Sequence, residues 1–433
     1  SAGQSFDSEV YFEGIGGEWS FTDAFIVSGY SSIAHYAGTI RTNGNDVSTG
    51  QIYSAGSGLY LYGSIVHVRN YFQSYSTVLD AGTSHVIFTN SGNLYAAEGH
   101  TFYNVTFESS GQANDCNISG KLTYEGNGKY RSNYNSTVNE AEFQQYGEVY
   151  TQGAVHFGSA EFWQTGNINS NSAQPPLFDI ATFLDNGYLY GNNDFMELNL
   201  EPGHLYQFGP NGNTTILPGG TLNASGPGCN DYLTLVSTGA GSAANLNISG
   251  ANLTLQYVTV MDIAVTGGGT ITALNSVDLG GNSGWNFTPP PSRQLYWVGG
   301  GGNWSDVAHW SLSSGGSGGE CIPSAYDDVF FDQNSGFSSS GELVSIDDDL
   351  VYCHDMSWQG VQNTPVFTSS SPQYKLFIYG SVAFDPAMGL DLPATVHFRS
   401  GQAGETIFSA GQSFDSEVYF EGIGGEWSFT DAF

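Results

Sequence analysis

The chain has 433 residues, with 41 Asp and Glu against eight Lys and Arg, and a formal charge of −33. A surface so short of cations repels nucleic acid and anionic membrane faces, and no partner of either kind is expected. Charged residues are nevertheless only 11% of the total, while aromatics reach 14% and glycines number 59, which excludes a charge-rich disordered tail and favours an ordered, turn-rich β protein. No apolar run of bilayer length occurs, so no membrane insertion is expected.

In chain order, the first element is a duplication. Residues 1–25, SAGQSFDSEVYFEGIGGEWSFTDAF, recur letter for letter at 409–433, an offset of 408 residues. Exposed positions match as well as apolar ones, which packing alone does not demand. The reading is a window onto tandem, nearly identical modules of 408 residues, the alternative being an artificial duplication. Helical periodicity is almost absent, and alternation with a period of two predominates. Segment 85–111 parallels 395–425, each a strand ending in Phe, a polar glycine turn, a short strand, and a third strand after Gly-x-x-Phe; 155–168 and 205–226 are looser relatives. In 246–267, alternation places Leu246, Ile248, Leu253, Leu255, Val258, Val260, Ile263 and Val265 on inward faces.

A recurring unit of roughly 20–30 residues with two or three strands predicts an all-β fold of parallel β-helix (β-solenoid) modules. About 17 rungs stacked about 4.8 Å apart would make a module on the order of 80 Å long. The alternative is a string of β-sandwich domains. Residues 288–293, TPPPSR, form a stiff joint poor in backbone donors. The expected division is therefore 1–292, the later part of one module, and 293–433, the opening of the next, with a small β-sandwich or cap at about 293–370.

Three groups are candidate sites. Tyr296, Trp297, Trp304 and Trp310 lie close in sequence and read either as an aromatic platform for sugars or as a plug at the start of a solenoid, the plug being favoured. Asp327, Asp328, Asp332, Asp347, Asp348 and Asp349 are candidate calcium ligands, against the simpler reading as solvated turn acids. Cys321 and Cys353 flank one segment and are expected to form a disulfide, the alternative being two buried thiols; spacing leaves Cys116 and Cys229 undecided. No catalytic residues are assigned: HExxH and phosphate-loop spacings are missing, and beyond calcium no cofactor is expected.

The run YWVGGGGNWSDVAHWSLSSGGSGGECIPSAYDDVFFDQNSG (296–336), with YCHDMSWQG (352–360), LFIYGSVAFDP (376–386), residues 411–433 and 277–300, resembles a module of giant repetitive surface proteins of gliding Bacteroidota exported by the type IX secretion system. The resemblance covers about half the chain in patches, and grappling-hook appendages of marine filamentous predators belong to this circle. It implies an extracellular adhesin or surface filament, used for attachment, gliding or capture of other cells. Its partners would be neighbouring identical modules, a homo-oligomer or multi-chain filament, and cell-surface glycans or prey cells. Two alternatives stay open: an array of carbohydrate-binding modules and a β-helix polysaccharide-degrading enzyme. Identical tandem copies speak against the enzyme, since catalysis gains little from them.

Overall fold

The computed structural model describes residues 4–171, 173–239, 241–422 and 424–432. Its strands follow the period-two pattern of the sequence. Ser136–Phe143 and Gly147–Thr151 make one rung, and Val155–Phe162 and Gly166–Ser170 make the next. The two rungs pair in parallel, from Ser136 with Val155 to Phe143 with Phe162, and from Gly147 with Gly166 to Thr151 with Ser170. Parallel neighbours so close in sequence require the chain to turn fully between them. The result is a parallel β-solenoid of about 21 turns, as expected from the sequence and in place of a string of β-sandwiches.

The chain divides into two compact units. The first comprises Ser1–Pro227, Asp231–Leu274 and Asp278–Phe287; the second comprises Gly228–Asn230, Asn275–Val277 and Thr288–Phe433. A 27-stranded sheet runs through the first, beside smaller parallel sheets of four and three strands. The second has sheets of seven, four and four strands, and its rungs are three-sided. There Asp328–Phe330, Leu343–Ile346 and Leu350–Cys353 lie on three different sheets, and Met356–Ser357, Val366–Ser369 and Lys375–Ile378 stack on them in the same order.

The stretch 293–370 therefore carries solenoid rungs, which corrects the expectation of a β-sandwich there. Its apolar residues meet at rung spacing, Val329 beside Met356 and Val344 beside Phe367. An antiparallel pairing does occur at its start, between Gln294–Trp297 and Trp310–Ser311. Alternation alone cannot separate a hairpin from a coil, because both bury every second residue.

Columns of aromatic rings build the core of the first unit. Phe88, Phe107, Tyr124, Phe143, Phe162 and Phe183 occupy one position on successive rungs, with ring centroids 4.5, 4.9, 5.0, 4.8 and 4.6 Å apart. All six are buried. Rung spacing sets this distance, so offset stacking comes at no further cost in geometry. Four residues after each ring stands a glycine: Gly92, Gly111, Gly128, Gly147, Gly166 and Gly187, in register from rung to rung. A methyl on Gly111 would lie 2.1 Å from Phe107 Cδ1, and one on Gly128 2.2 Å from Tyr124 Cγ, so the ring occupies the space a side chain would need. Of the inward residues expected in 246–267, all are buried except Leu253, which packs half-buried at the margin of the core.

Candidate functional site

The tryptophans belong to the interior of the second unit. Trp297, Trp304 and Trp310 are buried together with Phe331 and Trp358. Trp310 stands edge-on to Trp297 at 5.1 Å and to Trp304 at 5.0 Å, while His309 stacks on Trp297 at 4.5 Å. Two of the indole N–H groups are satisfied internally, Trp297 Nε1 donating to the Gly300 carbonyl at 2.6 Å and Trp310 Nε1 to that of Trp304 at 2.8 Å. Rings so enclosed offer no face to a sugar. Tyr296, half-buried, stacks on Phe330 at 5.0 Å.

The six aspartates are taken up by separate partners, and among the described residues only Asp328 of the six falls in a group with metal-ligand spacing. Asp327 is buried and bound by Arg293, with Nε to Oδ1 at 3.0 Å and Nη2 to Oδ2 at 2.7 Å, and by Ser324 N and Oγ. Asp332 accepts from the Asn334 N–H within its own turn, and Asp347 accepts from Ser305 N and Oγ. Asp348 accepts from the Asp349 N–H, and its burial raises its pKa. Among the described residues, one group has metal-ligand spacing: Asp328, His354 and Asp355. It shares only Asp328 with the expected set. Its atoms already have protein partners: His354 Nδ1 lies 2.9 Å from Asp328 Oδ1, and Asp355 Oδ1 accepts from Ser381 N at 2.7 Å.

Cysteine pairing is corrected as well. Cys229 is bonded to Cys321, and Cys116 and Cys353 are free and buried. Cys353 ends the strand Leu350–Cys353 on its inward face, which directs its thiol into the core and away from the Cys321 loop. Burial pushes the Cys116 thiol up to about 12 and raises Cys353 well above its ordinary value, so neither presents a thiolate near neutral pH.

What the sequence reading missed is an aromatic row on the outside of the first unit. Tyr11, Tyr36, Tyr53 and Tyr75 follow one another at 6.4, 5.4 and 6.4 Å, and the first, second and fourth are exposed. Tyr11, Tyr36 and Tyr53 border a groove of about 320 Å³ lined also by Glu9, Ser32, Gln51, Tyr71 and Gln73. The Tyr11 hydroxyl donates to Glu9, which raises the phenol pKa and lowers that of the carboxyl. The second unit has a stacked row as well, Tyr352, Phe377, His397 and Tyr419 at 5.6, 4.8 and 4.7 Å, but Phe377 and His397 are buried and of the four only Tyr419 is exposed. Burial lowers the pKa of His397, whose Nδ1 lies 3.1 Å from Glu421 Oε2. The signal was present in sequence as tyrosines at rung spacing, hidden by unequal corners.

Cations on these surfaces are mostly engaged. Arg41 lies over the Tyr60 ring and Arg69 over Tyr30, while Lys121 is 2.8 Å from Glu140 and Lys129 2.7 Å from Glu148. The excess of carboxylates therefore faces water uncompensated, and the Tyr11, Tyr36, Tyr53 and Tyr75 row supplies apolar contact area. Such a surface can stack on sugar rings or on a matching surface, with calcium or salt screening the charge. Compared with protein-family models, curated proteins and solved structures, the chain matches none.

Proposed function

We propose that this chain is a stretch of a structural and adhesive subunit of a long extracellular repeat filament. In this reading it is exported by the type IX secretion system to the surface of a gliding bacterium and serves attachment, gliding or capture of other cells. The observation that carries it is the parallel ladder with stacked aromatic columns, combined with the verbatim recurrence of a 25-residue segment. Each rung contacts only its neighbours, so length is gained by adding rungs without a new core design. Tension is shared by many backbone hydrogen bonds, and repeated surfaces turn weak contacts into avidity. The test is electron microscopy of the native full-length protein. Rods with one axial repeat per module support the filament, and flexible beads overturn it.

A second reading, an array of carbohydrate-binding modules, is favoured by one observation, the exposed row Tyr11, Tyr36, Tyr53 and Tyr75. It predicts retention of the intact chain on a polysaccharide column and loss of retention in Tyr36→Ala/Tyr75→Ala. Equal elution of chain and variant from every polysaccharide tried removes it.

A further inference from the structure

In the first unit the strands Phe25–Val27, Val47–Ser54, Ile65–Ser74 and His85–Phe88 pair in parallel one after another. The pairing of the middle two is broken by a bulge. Thr49 pairs with Val68 and Gln51 with Tyr71, so Gly50 stands opposite both Arg69 and Asn70. A bulge bends its strand and re-aims the side chain it carries. Gly50 is needed there, since a methyl on it would lie 2.5 Å from the Tyr30 carbonyl carbon. The Tyr30 backbone thus rests on Gly50, and Arg69 leaves the bulge to lie over the Tyr30 ring, 4.4 Å from its centroid.

The setting of Arg69 differs from those of Arg41, Arg293 and Arg399. Arg41 donates to the Tyr62 hydroxyl at 3.1 Å, Arg293 is forked on Asp327, and Arg399 lies 3.8 Å from Glu421. Arg69 is exposed, and among the described residues neither a carboxylate nor any other acceptor holds its guanidinium. The chain carries 41 carboxylates, so this cation is unpaired against the odds. Stacking on Tyr30 uses the flat face of the guanidinium and leaves its N–H edge open. That edge matches a carboxylate with two parallel hydrogen bonds. The ring beneath also holds the side chain in place, so less freedom is lost when a ligand arrives.

Arg69 lines a groove of about 390 Å³ together with Ser28, Ser48, Thr49, His67 and Thr89. Small-molecule sites start at about 300 Å³. The side chains of Ser48, His67 and Thr89 have no hydrogen-bond partner among the described residues. Ser28 and Thr49 are engaged, Ser28 Oγ donating to Asp7 Oδ1 at 2.7 Å and Thr49 Oγ1 to the Ser31 carbonyl at 3.1 Å. The groove therefore has an acidic side at Ser28 and a cationic one at Arg69, with free hydroxyls and an imidazole between.

We propose that this groove binds one carboxylate-bearing sugar residue, of the uronate or sialate class, with the carboxylate on Arg69 and the ring hydroxyls on Ser48, His67 and Thr89. A single arginine holds a single negative group, whereas a polyanion would meet Asp7 and a chain of net charge −33. The hydroxyl-rich lining suits a polyhydroxylated ring. An extended acidic peptide is gripped by an unpaired strand edge, and the strands that carry Ser48 and His67 are already paired on both sides. The site needs neither the filament nor the Tyr11, Tyr36, Tyr53 and Tyr75 row, so its loss would leave both readings standing, and loss of either would leave the site.

The test titrates the full chain with the methyl glycosides of glucuronic acid, galacturonic acid and N-acetylneuraminic acid, each beside its uncharged carboxamide, with affinity read by nuclear magnetic resonance. At least one acid should bind at least about 10-fold more tightly than its amide, the gain expected of a charge-assisted pair. Arg69→Gln should bring that acid down to the affinity of its amide, and Arg69→Lys, which keeps the charge without the fork, should restore part of the difference. Ser48→Ala/Thr89→Val should weaken acid and amide alike. Because Arg69 is exposed, the melting temperatures of its variants should stay at that of the parent. Acid and amide of equal affinity, no binding by any of the three acids, or full affinity in Arg69→Gln overturns the site. So does N-acetylglutamate binding as tightly as the best acidic sugar, which would mean a carboxylate contact without recognition of a sugar.

Discussion

Replacing Gly111 by alanine tests whether the ring-and-glycine columns set the register of the solenoid. The added methyl would lie 2.1 Å from Phe107 Cδ1 and 2.4 Å from Cγ. Carbon contacts settle at about 3.5–4.0 Å, so an overlap of roughly 1.5 Å must be relieved. The Phe107 ring cannot yield easily, being buried between Phe88 at 4.5 Å and Tyr124 at 4.9 Å. Backbone movement is opposed by the ladder, in which Gly111 N donates to the Asn127 carbonyl at 2.9 Å. Overpacking of this kind costs about 3 kcal/mol, the upper end of its usual range. Phe107→Ala alone opens a cavity and costs about 4 kcal/mol. If the clash is the cause, the double variant loses no more than Phe107→Ala alone, because the new methyl enters vacated space. The coupling then amounts to about 3 kcal/mol, far from additive. Native-state hydrogen exchange on 92–132 reads it, at tenfold per about 1.4 kcal/mol. The loss should stay within the neighbouring rungs. Additive losses, or a Gly111→Ala chain as protected as the parent, refute the reasoning.

Three further predictions concern the cysteines, the Arg293–Asp327 pair and the buried His35. Under native, non-reducing conditions a thiol reagent should label no cysteine; after denaturation it should label Cys116 and Cys353, and peptide mapping should recover Cys229 linked to Cys321. A linked pair containing Cys353 would contradict the pairing. Arg293→Ala should cost about 3–5 kcal/mol, because the buried Asp327 carboxylate loses its guanidinium; Arg293→Ala/Asp327→Asn should recover part of that loss in thermal unfolding, and an equal loss in the double variant would deny the pair its role. Burial lowers the pKa of His35, which is held between Ser54 Oγ at 2.8 Å and the Gly38 carbonyl at 3.0 Å. The unfolded chain therefore takes up a proton below about pH 6.5 before the folded chain does, and stability falls as pH drops through that value toward the lowered one. In His35→Gln the melting temperature should fall less steeply from pH 7.5 to 5.5; identical slopes would assign the acid sensitivity elsewhere.

The class of fold was legible because period-two alternation and glycine breaks act locally. Leu246, Ile248, Val258, Val260 and Ile263 were placed inward from alternation alone, and they are buried. Rung length was less legible, since corners vary: Phe88 to Phe107 is 19 residues, Phe107 to Tyr124 is 17, and Val329 to Met356 is 27. A fixed period hides such a series, whereas the aromatic-x-x-x-Gly motif marks it directly. Contacts across rungs were not legible at all. Cys321 and Cys353 lie close in sequence, yet the partner of Cys321 comes from 92 residues earlier. The aspartates failed for a related reason. Asp332 is taken up by its own turn, Asp327 by an arginine 34 residues away, Asp347 by Ser305, 42 residues away, and Asp328 by His354, 26 residues away, so nearness in sequence does not bring their oxygens together.

Stacking also bears on what the duplication means. A rung must satisfy its inward side chains, its tight glycines and its two ladder edges. It sets no requirement on exposed positions such as Ser5, Glu9 and Glu13, which nevertheless recur unchanged as Ser413, Glu417 and Glu421. Packing alone would preserve Phe12 and Trp19 and let these drift. Packing therefore does not account for their identity, whereas the proposed array of copied modules does, and copying is what such a stack would require to grow: the forward face of each module would have to match the backward face of the next. In a solenoid that match is met by repeating the same rung, with no interface to be designed separately. In the proposed array, length and the outer row Tyr11, Tyr36, Tyr53 and Tyr75 would be repeated together, so rigidity and contact surface would be two consequences of one repeated module.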